Sequence, residues 1–450
     1  MISKTKRMIL CFAMGATLCM SCAAVGQTMG DMVCRELKAD VNRSAGMAYA
    51  MPVVRHPKDT PAPNGKKPFY INHYGCPSAC YLPKAEDYEA PYAIFAQADS
   101  LGKLTKLGSD VLRRLDLLRQ DARNRAGELT AKGAQQSRAV MRQIVERFPD
   151  AFNEKGYYSG RSIVENNSIL TMEEALVQLS AMHQPIALQG RATHRETSFM
   201  DPQDPLLSSQ RTDSLTLLRF DRFAALNSNE LRLMESLFTD QNYLISNVDA
   251  TTLSRQLFHL AGSIQNTDLA GKVTLYDIFT PEEIRRHWRK QNAWNYINYG
   301  GCTLNGGTQP YLQRATLRNM IHMGDSLLIR HAPLMHVRYT RQSVIMALAS
   351  LMELDNCGVQ TGNLDSLETL GWADYRIAPF GGSIVMVHYR SYRGDPDVLV
   401  KVLLNGHEAR LPIETDCAPY YHWQDVKRYY LRKLYRYENM RFNGNSNEDE

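Results

Sequence analysis

Phe69-Tyr70-Ile71-Asn72-His73-Tyr74-Gly75-Cys76-Pro77-Ser78-Ala79-Cys80-Tyr81-Leu82 is the stretch that decides the fold class. Phe69 to Tyr74 reads as a buried strand, aromatic and apolar with no lysine, arginine or carboxylate. Gly75 then turns the chain. A strand feeding a glycine turn is a usual place for an α/β catalytic loop. After this turn come two cysteines and a proline, and no arginine. The stretch therefore has the frame of a catalytic loop without its usual chemistry.

Outward from it the pattern alternates. Residues 27–60 read as an N-terminal arm, closed by a turn-rich linker holding Pro57, Pro61 and Pro63. A helix is expected over Asp99–Gln120, with Leu104, Leu107, Val111, Leu112, Leu115 and Leu118 as its apolar stripe. Thr130 can cap the next helix, Ala131–Phe148, which Pro149 stops. From 161 to 320 the chain is helix-rich, with periodic stretches at 171–182, 216–237 and 251–264. Pro281-Glu282-Glu283 opens a further helix that Gly300 breaks. Strands return afterwards at Ile384–Tyr389 and Val398–Leu404, and Asn405-Gly406 is a hairpin signal. A tyrosine-rich helix, Asp425–Tyr437, closes the chain before a polar tail at 438–450. The expected fold is α/β, a mixed sheet flanked by helices. Its core comes in two pieces, 27–160 and 321–437, with a mainly helical insert at 161–320. Two sequential domains are the alternative.

The first 26 residues read as an export signal. Lys4, Lys6 and Arg7 precede an uncharged apolar run from Met8 to Cys22, and Ala24-Val25-Gly26 supplies the small residues of a cleavage site. Cys22 offers a second route, a lipid anchor on a processed cysteine, although Cys19-Met20-Ser21 fits a lipoprotein signal poorly. An uncleaved anchor is the third. The expected location is the periplasm or the cell envelope. No later segment is apolar for long enough to span a bilayer. The chain carries +5, and cleavage leaves about +2, too little for a nucleic-acid binder. Two basic runs, Arg285–Lys290 and Arg428–Arg436, fall in helical patterns; they read as solvated faces or as a docking site for an anionic partner. Six of the nine cysteines lie beyond the signal. Export permits oxidation, and Cys76 and Cys80 are close enough to bridge if the loop turns back. No second closely spaced pair completes a zinc site, and the spacings of His331 with His336 and of His183 with His194 are not diagnostic. No metal and no cofactor is expected.

Phosphoryl transfer through a phosphohistidine needs a neutral imidazole, arginines on the equatorial oxygens and an acid for the leaving group. The chain resembles the histidine acid phosphatases, in particular their multiple inositol polyphosphate phosphatase branch as found in gut Bacteroidetes. The resemblance runs over most of the mature chain and is clearest at Pro68–Leu82, Gly127–Phe148, Leu275–Arg314 and Leu351–Tyr437. Asn305-Gly306-Gly307, Glu353–Val359 and Asp416-Cys417-Ala418-Pro419-Tyr420-Tyr421-His422-Trp423 look specific to it. It implies a histidine-phosphatase-like α/β core with an inserted helical cap.

Its motifs are degenerate at the chemistry. The family signature Arg-His-Gly-x-Arg falls on Cys76-Pro77-Ser78-Ala79-Cys80, so the nucleophile position is Pro77 and the two arginine positions are Cys76 and Cys80. A motif like Arg-Ser-Thr-x-x-x-Arg falls on Arg161 to Asn167, which keeps Arg161 and replaces the second arginine with Asn167. A motif like Leu-Arg-Phe-Gly-His-Asp falls on Val337 to Gln342. It keeps Arg338, puts Arg341 for the histidine and Gln342 for the acid, and glutamine is no proton donor. An alignment through His331-Ala332 keeps the histidine but still loses the acid. His73 reads as a structural histidine. A cysteine nucleophile would want an arginine six residues on, where Leu82 and Glu86 stand.

The resemblance with these losses implies an exported, non-catalytic phosphatase-like protein that binds a phosphorylated or other anionic small ligand, or a protein partner. Arg161, Arg338 and Arg341 are its candidate anion-binding residues. An active acid or inositol polyphosphate phosphatase with a rebuilt site is one alternative, and a structural component of the cell envelope is the other.

Overall fold

Apolar strands with few polar breaks must be covered on both faces, and here they are. The computed structural model describes residues 30–445 except 31, 55–56, 154–155, 184–186, 212 and 330–334. The signal, Cys22, His331-Ala332 and the end of the tail lie outside the described residues. The main sheet is built from β1 (Lys67–Gly75), β2 (Tyr157–Ser162), β3 (Ala187–Ala192), β4 (Met335–Tyr339), β5 (Ser383–Arg390), β6 (Leu399–Leu404), β7 (His407–Glu408) and β8 (Tyr420–His422). Its order is β8-β6-β5-β1-β4-β2-β3, with β7 on β6. β1, β4, β2 and β3 run parallel, and β5, β6 and β8 are antiparallel. Asn405 and Gly406 both take positive φ, the requirement of the tight turn that joins β6 to β7.

One sheet face, with Ile71, Val337, Val385 and Val387, packs on α3 (Ala131–Arg147) and α4 (Asn166–Met182). The other, with Tyr70, Tyr74, Met386 and Val400, packs on α7 (Arg314–Ile329), α8 (Gln342–Leu351) and α9 (Trp423–Asn445). A second, all-helical core joins α1 (Glu86–Ser100) and α2 (Lys106–Asp121) to α5 (Ala250–Ile264) and the start of α6 (Pro281–Tyr299). Thr130 caps α3 through Gly133 N at 3.0 Å, and Thr280 with Glu283 forms a capping box on α6.

Three expectations are corrected. The helix Asp99–Gln120 is two: α1 ends at Ser100, Gly102 takes φ 63, and Thr105 caps α2. The boundary at 160 falls inside β2. The core sheet continues through α4 to β3, because Tyr157–Ser162 extends the parallel ladder on β4 and β3 extends it again. The helices α1 and α2 belong to the helical lobe, since their buried residues Tyr88, Phe95, Val111 and Leu115 face Leu233, Leu237, Leu257 and Phe279. Among the described residues no helix is long and apolar enough to cross a membrane. The basic run 285–290 is largely spent on internal pairs with Glu282, Glu368, Asp365 and Glu230.

Candidate functional site at the carboxyl end of the parallel strands

Open α/β sheets bind ligands beyond the carboxyl ends of their parallel strands. Here those ends are Gly75, Ser162 and Tyr339, and the loop leaving β1 is Cys76–Cys80. Every residue from Ile71 to Leu82 is buried. Three amides of this loop are held by the core behind it. Cys76 N donates to Gly382 O at 2.9 Å, Ser78 N to Thr171 Oγ1 at 3.2 Å, and Ala79 N to Gln136 Oε1 at 3.1 Å. Tyr81 N donates to Glu128 O and Leu82 N to the Tyr88 hydroxyl. Pro77 offers only its carbonyl, which accepts from Gly381 N at 2.9 Å.

The two cysteines are free thiols, so the bridge that their spacing permits is not formed. Cys76 Sγ donates to Pro379 O and Gly382 O at 3.1 and 3.3 Å. Cys80 lies against the Asn167 side chain. Burial pushes both thiols up to about 12, so neither is a thiolate near neutrality. Cys80 and Asn167, both arginine positions in the resemblance, thus sit together as a neutral pair. His73 packs its ring beside Gly75 and 5.3 Å from the ring of Tyr339, fully buried, and burial lowers its pKa to about 4.

Arg161 and Arg338 are register partners on β2 and β4, and Tyr74 is the partner of Arg338 on β1. The three side chains line one face. Arg338 is 4 % exposed, donates to Asn72 Oδ1 at 3.2 Å and lies over the Tyr74 ring at 5.2 Å. Among the described residues it pairs with no carboxylate. Arg161 pairs with Glu196 at 3.3 Å. Arg341 does not join them. It is the N-cap residue of α8 and is clamped by Glu165 at 2.5 Å and Asp201 at 3.0 Å. Glu196 and Asp201 belong to or border the short helix His194–Met200, whose last carbonyl accepts from Thr340 Oγ1 at 2.8 Å.

The N-terminal arm closes the other half. Gln342 Nε2 donates to Met47 O at 2.6 Å and to Ala378 O at 3.0 Å. Asn266 holds Ala48 O, Gln265 accepts from Ala50 N, and Gln136 bridges Met51 O and Phe380 O. Gln143 takes Val54 O. A set of neutral amides therefore ties the arm to the core, and one of them, Gln136, also holds the β1 loop at Ala79 N. No local sequence signal marks these clamps, nor Glu196, Glu165 and Asp201 as counter-charges, because each acts on a partner distant in the chain. A cleft of about 490 Å³ opens elsewhere, between the arm and residues 355–377. Arg43, Tyr49, Trp372, Tyr375, Arg376 and His407 line it, and Arg43 and Arg376 converge on Glu36.

The architecture matches solved structures over nearly its whole length. The multiple inositol polyphosphate phosphatase of Bifidobacterium longum in complex with phosphate superposes with a TM-score of 0.72 at 13% identity, covering 86% of this chain and 97% of that one. The same protein in complex with inositol hexasulfate gives 0.71 at the same identity and coverage. The fold is that of the histidine acid phosphatases. The phytase of D. castellii agrees, with a TM-score of 0.63, 12% identity, and coverage of 88% and 85%. No protein-family model and no curated protein matches the sequence. Within the histidine acid phosphatase fold, β1 and its loop occupy the expected central place, while the residues at the loop are those described above.

Proposed function

We propose that this chain is an exported, non-catalytic protein built on the histidine acid phosphatase fold. One observation carries the reading: the whole β1 loop is buried and pinned, with Pro77 where the resemblance places the nucleophile. Proline has no nucleophilic atom. Two of the candidate anion-binding arginines, Arg161 and Arg341, are already neutralised by the chain's own carboxylates. The position of the acid, Gln342, spends its amide on two backbone carbonyls. The binding role then goes to the 490 Å³ cleft, which is of ligand size and holds two guanidiniums, Arg43 and Arg376, that share the Glu36 carboxylate. A small phosphorylated or other anionic molecule is the ligand class that suits them.

The test is an assay of the purified mature protein with a generic aryl phosphate and with inositol hexakisphosphate, from acid to neutral pH. The reading expects turnover at background and a ligand-dependent rise in melting temperature that Arg376→Ala removes. Hydrolysis that follows the protein through purification would reject it.

An active phosphomonoester hydrolase is the second reading. It is favoured by likeness, over most of the chain, to proteins solved as phosphatase and phytase, one of them in complex with phosphate and with inositol hexasulfate, and by Arg338, a buried guanidinium that pairs with no carboxylate among the described residues. It requires the segment 194–201 and the arm to move away together and a nucleophile other than residue 77. A structural role in the cell envelope rests on the export signal and the aromatic final helix alone.

A further inference from the structure

The segment Asp416–Trp423 stood out in the sequence and takes no part in the site above. It forms a loop and the edge strand β8, far along the sheet from β1. Tyr420 and His422 are register partners of Lys401 and Leu399 on β6. The loop before them is tied down by Thr415 Oγ1 to Tyr420 O at 2.8 Å and Tyr420 N to Cys417 O at 2.9 Å. It brings three different donors together. A carboxylate oxygen of Asp416, Sγ of Cys417 and a ring nitrogen of His422 lie within 4.8 Å of one another. In a tetrahedral zinc site, donor atoms are about 3.5 Å apart, so the three need to close by only about 1 Å.

The orientation of His422 adds an independent argument. Its Nδ1 faces Asp397 Oδ1 at 2.7 Å, and Asp397 is itself held by Lys66 at 3.0 Å. A carboxylate behind a histidine fixes the tautomer with the proton on Nδ1 and the lone pair on Nε2. That lone pair faces Asp416 Oδ1 at 3.2 Å. Two acceptors at this distance call for a positive charge between them. A second ring proton would supply one, and the thiol beside it would then keep only its long contacts, 3.5 Å each, with Tyr420 O and Thr415 Oγ1. A borderline metal ion uses all three, since thiolate, imidazole and carboxylate together suit zinc better than calcium or magnesium. Asp416 and His422 both reach solvent, which leaves a fourth position open to water.

We propose that Asp416, Cys417 and His422 form a zinc site, with Asp397 as the residue that positions His422. The experiment uses the full mature chain, stripped with a chelator, dialysed and titrated with cobalt(II) as a spectroscopic stand-in for zinc. One equivalent should bind with a near-ultraviolet thiolate-to-cobalt charge-transfer band and visible bands of tetrahedral intensity. Zinc should displace the cobalt and abolish both. Cys417→Ser should remove the charge-transfer band. His422→Ala should weaken zinc by at least tenfold in competition with a chromogenic chelator, and Asp397→Asn by about 10–100-fold. Circular dichroism of each metal-free variant checks that it is folded. The absence of a charge-transfer band in the folded parent overturns the proposal. So does zinc affinity that Cys417→Ser and His422→Ala leave unchanged, which would make His422 an imidazolium shared by two carboxylates.

Discussion

Gln342 donates its side-chain amide to the Met47 carbonyl at 2.6 Å, across 295 residues of sequence. This contact joins two facts about the molecule. The position that the resemblance assigns to the proton donor holds an amide, and that amide is used to fasten the N-terminal arm. Loss of the acid and closure of the site are thus the same interaction. Gln342→Glu restores a carboxyl group but removes a donor from two carbonyls. We expect it to lower stability by about 1–3 kcal/mol in urea unfolding and to produce no phosphatase activity. Activity appearing in this variant would mean that the acid alone was missing.

The pair Arg161 and Glu196 offers a complementary test. If the chain's own carboxylate occupies an old anion site, removing its charge should reopen the site. Glu196→Gln should cost about 1–3 kcal/mol and should make inorganic phosphate stabilising, while the parent shows no phosphate effect that depends on Glu196. Thermal melts of both proteins with and without phosphate decide it. Equal phosphate response in the two would separate Arg161 and Arg338 from anion binding.

Gly133 sits in the first turn of α3, where a Cβ would land on the Ala79 carbonyl oxygen. That oxygen already accepts from Thr130 N at 3.0 Å and Thr130 Oγ1 at 3.1 Å. Backbone cannot yield as a long side chain can. Gly133→Ala should therefore destabilise by about 1–3 kcal/mol and loosen the Cys76–Cys80 loop. Reaction of native thiols with an aromatic disulfide reagent reads this directly: Cys76 and Cys80 should be inert in the parent and reactive in the variant.

The buried histidines set the response to acid. Burial lowers His73 to about 4, His287 and His388 to about 3, and His336 to about 2. Each takes up its proton more readily when unfolded, at a pKa near 6.5. Their contribution is complete above that value and is lost as pH falls through 6.5 toward the folded values. Asp374, raised to about 6 by burial, acts in the opposite sense and stabilises below its unfolded pKa. Asp201, raised by burial, and the partly exposed His422, raised by its hydrogen bond to Asp397, act with Asp374; the four buried rings outweigh them and favour loss of stability on acidification, by up to about 1.4 kcal/mol per pH unit for each histidine. Urea unfolding at pH 7.5 and pH 5 should show a clear fall. His388→Phe, which keeps a ring between Tyr70 and Trp423, should flatten it. Equal stability at the two pH values would contradict the assignment of neutral buried rings.

Local signals carried much of the fold. The strand β1, the capped helix α3, the Pro281 start of α6 and the Asn405-Gly406 turn each depend on neighbours in sequence, so their residues announce them. β3 did not announce itself: Ala187–Ala192 is an exposed polar strand whose only strand-like property is the ladder to β2. The break at Gly102 was hidden because leucines on both sides continue the helical period. At the site, the replaced motif residues were legible as replacements. What fills the space was not, because Gln136, Gln265, Asn266 and Gln342 act through backbone carbonyls that any sequence would supply. The counter-charges are equally silent: Glu165 and Arg341 are 176 residues apart.

On the proposed non-catalytic reading, the residues of the β1 loop accept no phosphoryl group. Single-turnover labelling tests it without sensitivity to trace contaminating enzyme. The mature protein, at a concentration above that of a ³²P-labelled phosphomonoester, is mixed, quenched in denaturant under conditions that preserve phosphohistidine and phosphocysteine, and assayed for protein-bound label. We expect no label above the level of a heat-unfolded control. Stoichiometric label that maps to His73, Cys76 or Cys80 would contradict it and establish a rebuilt active site.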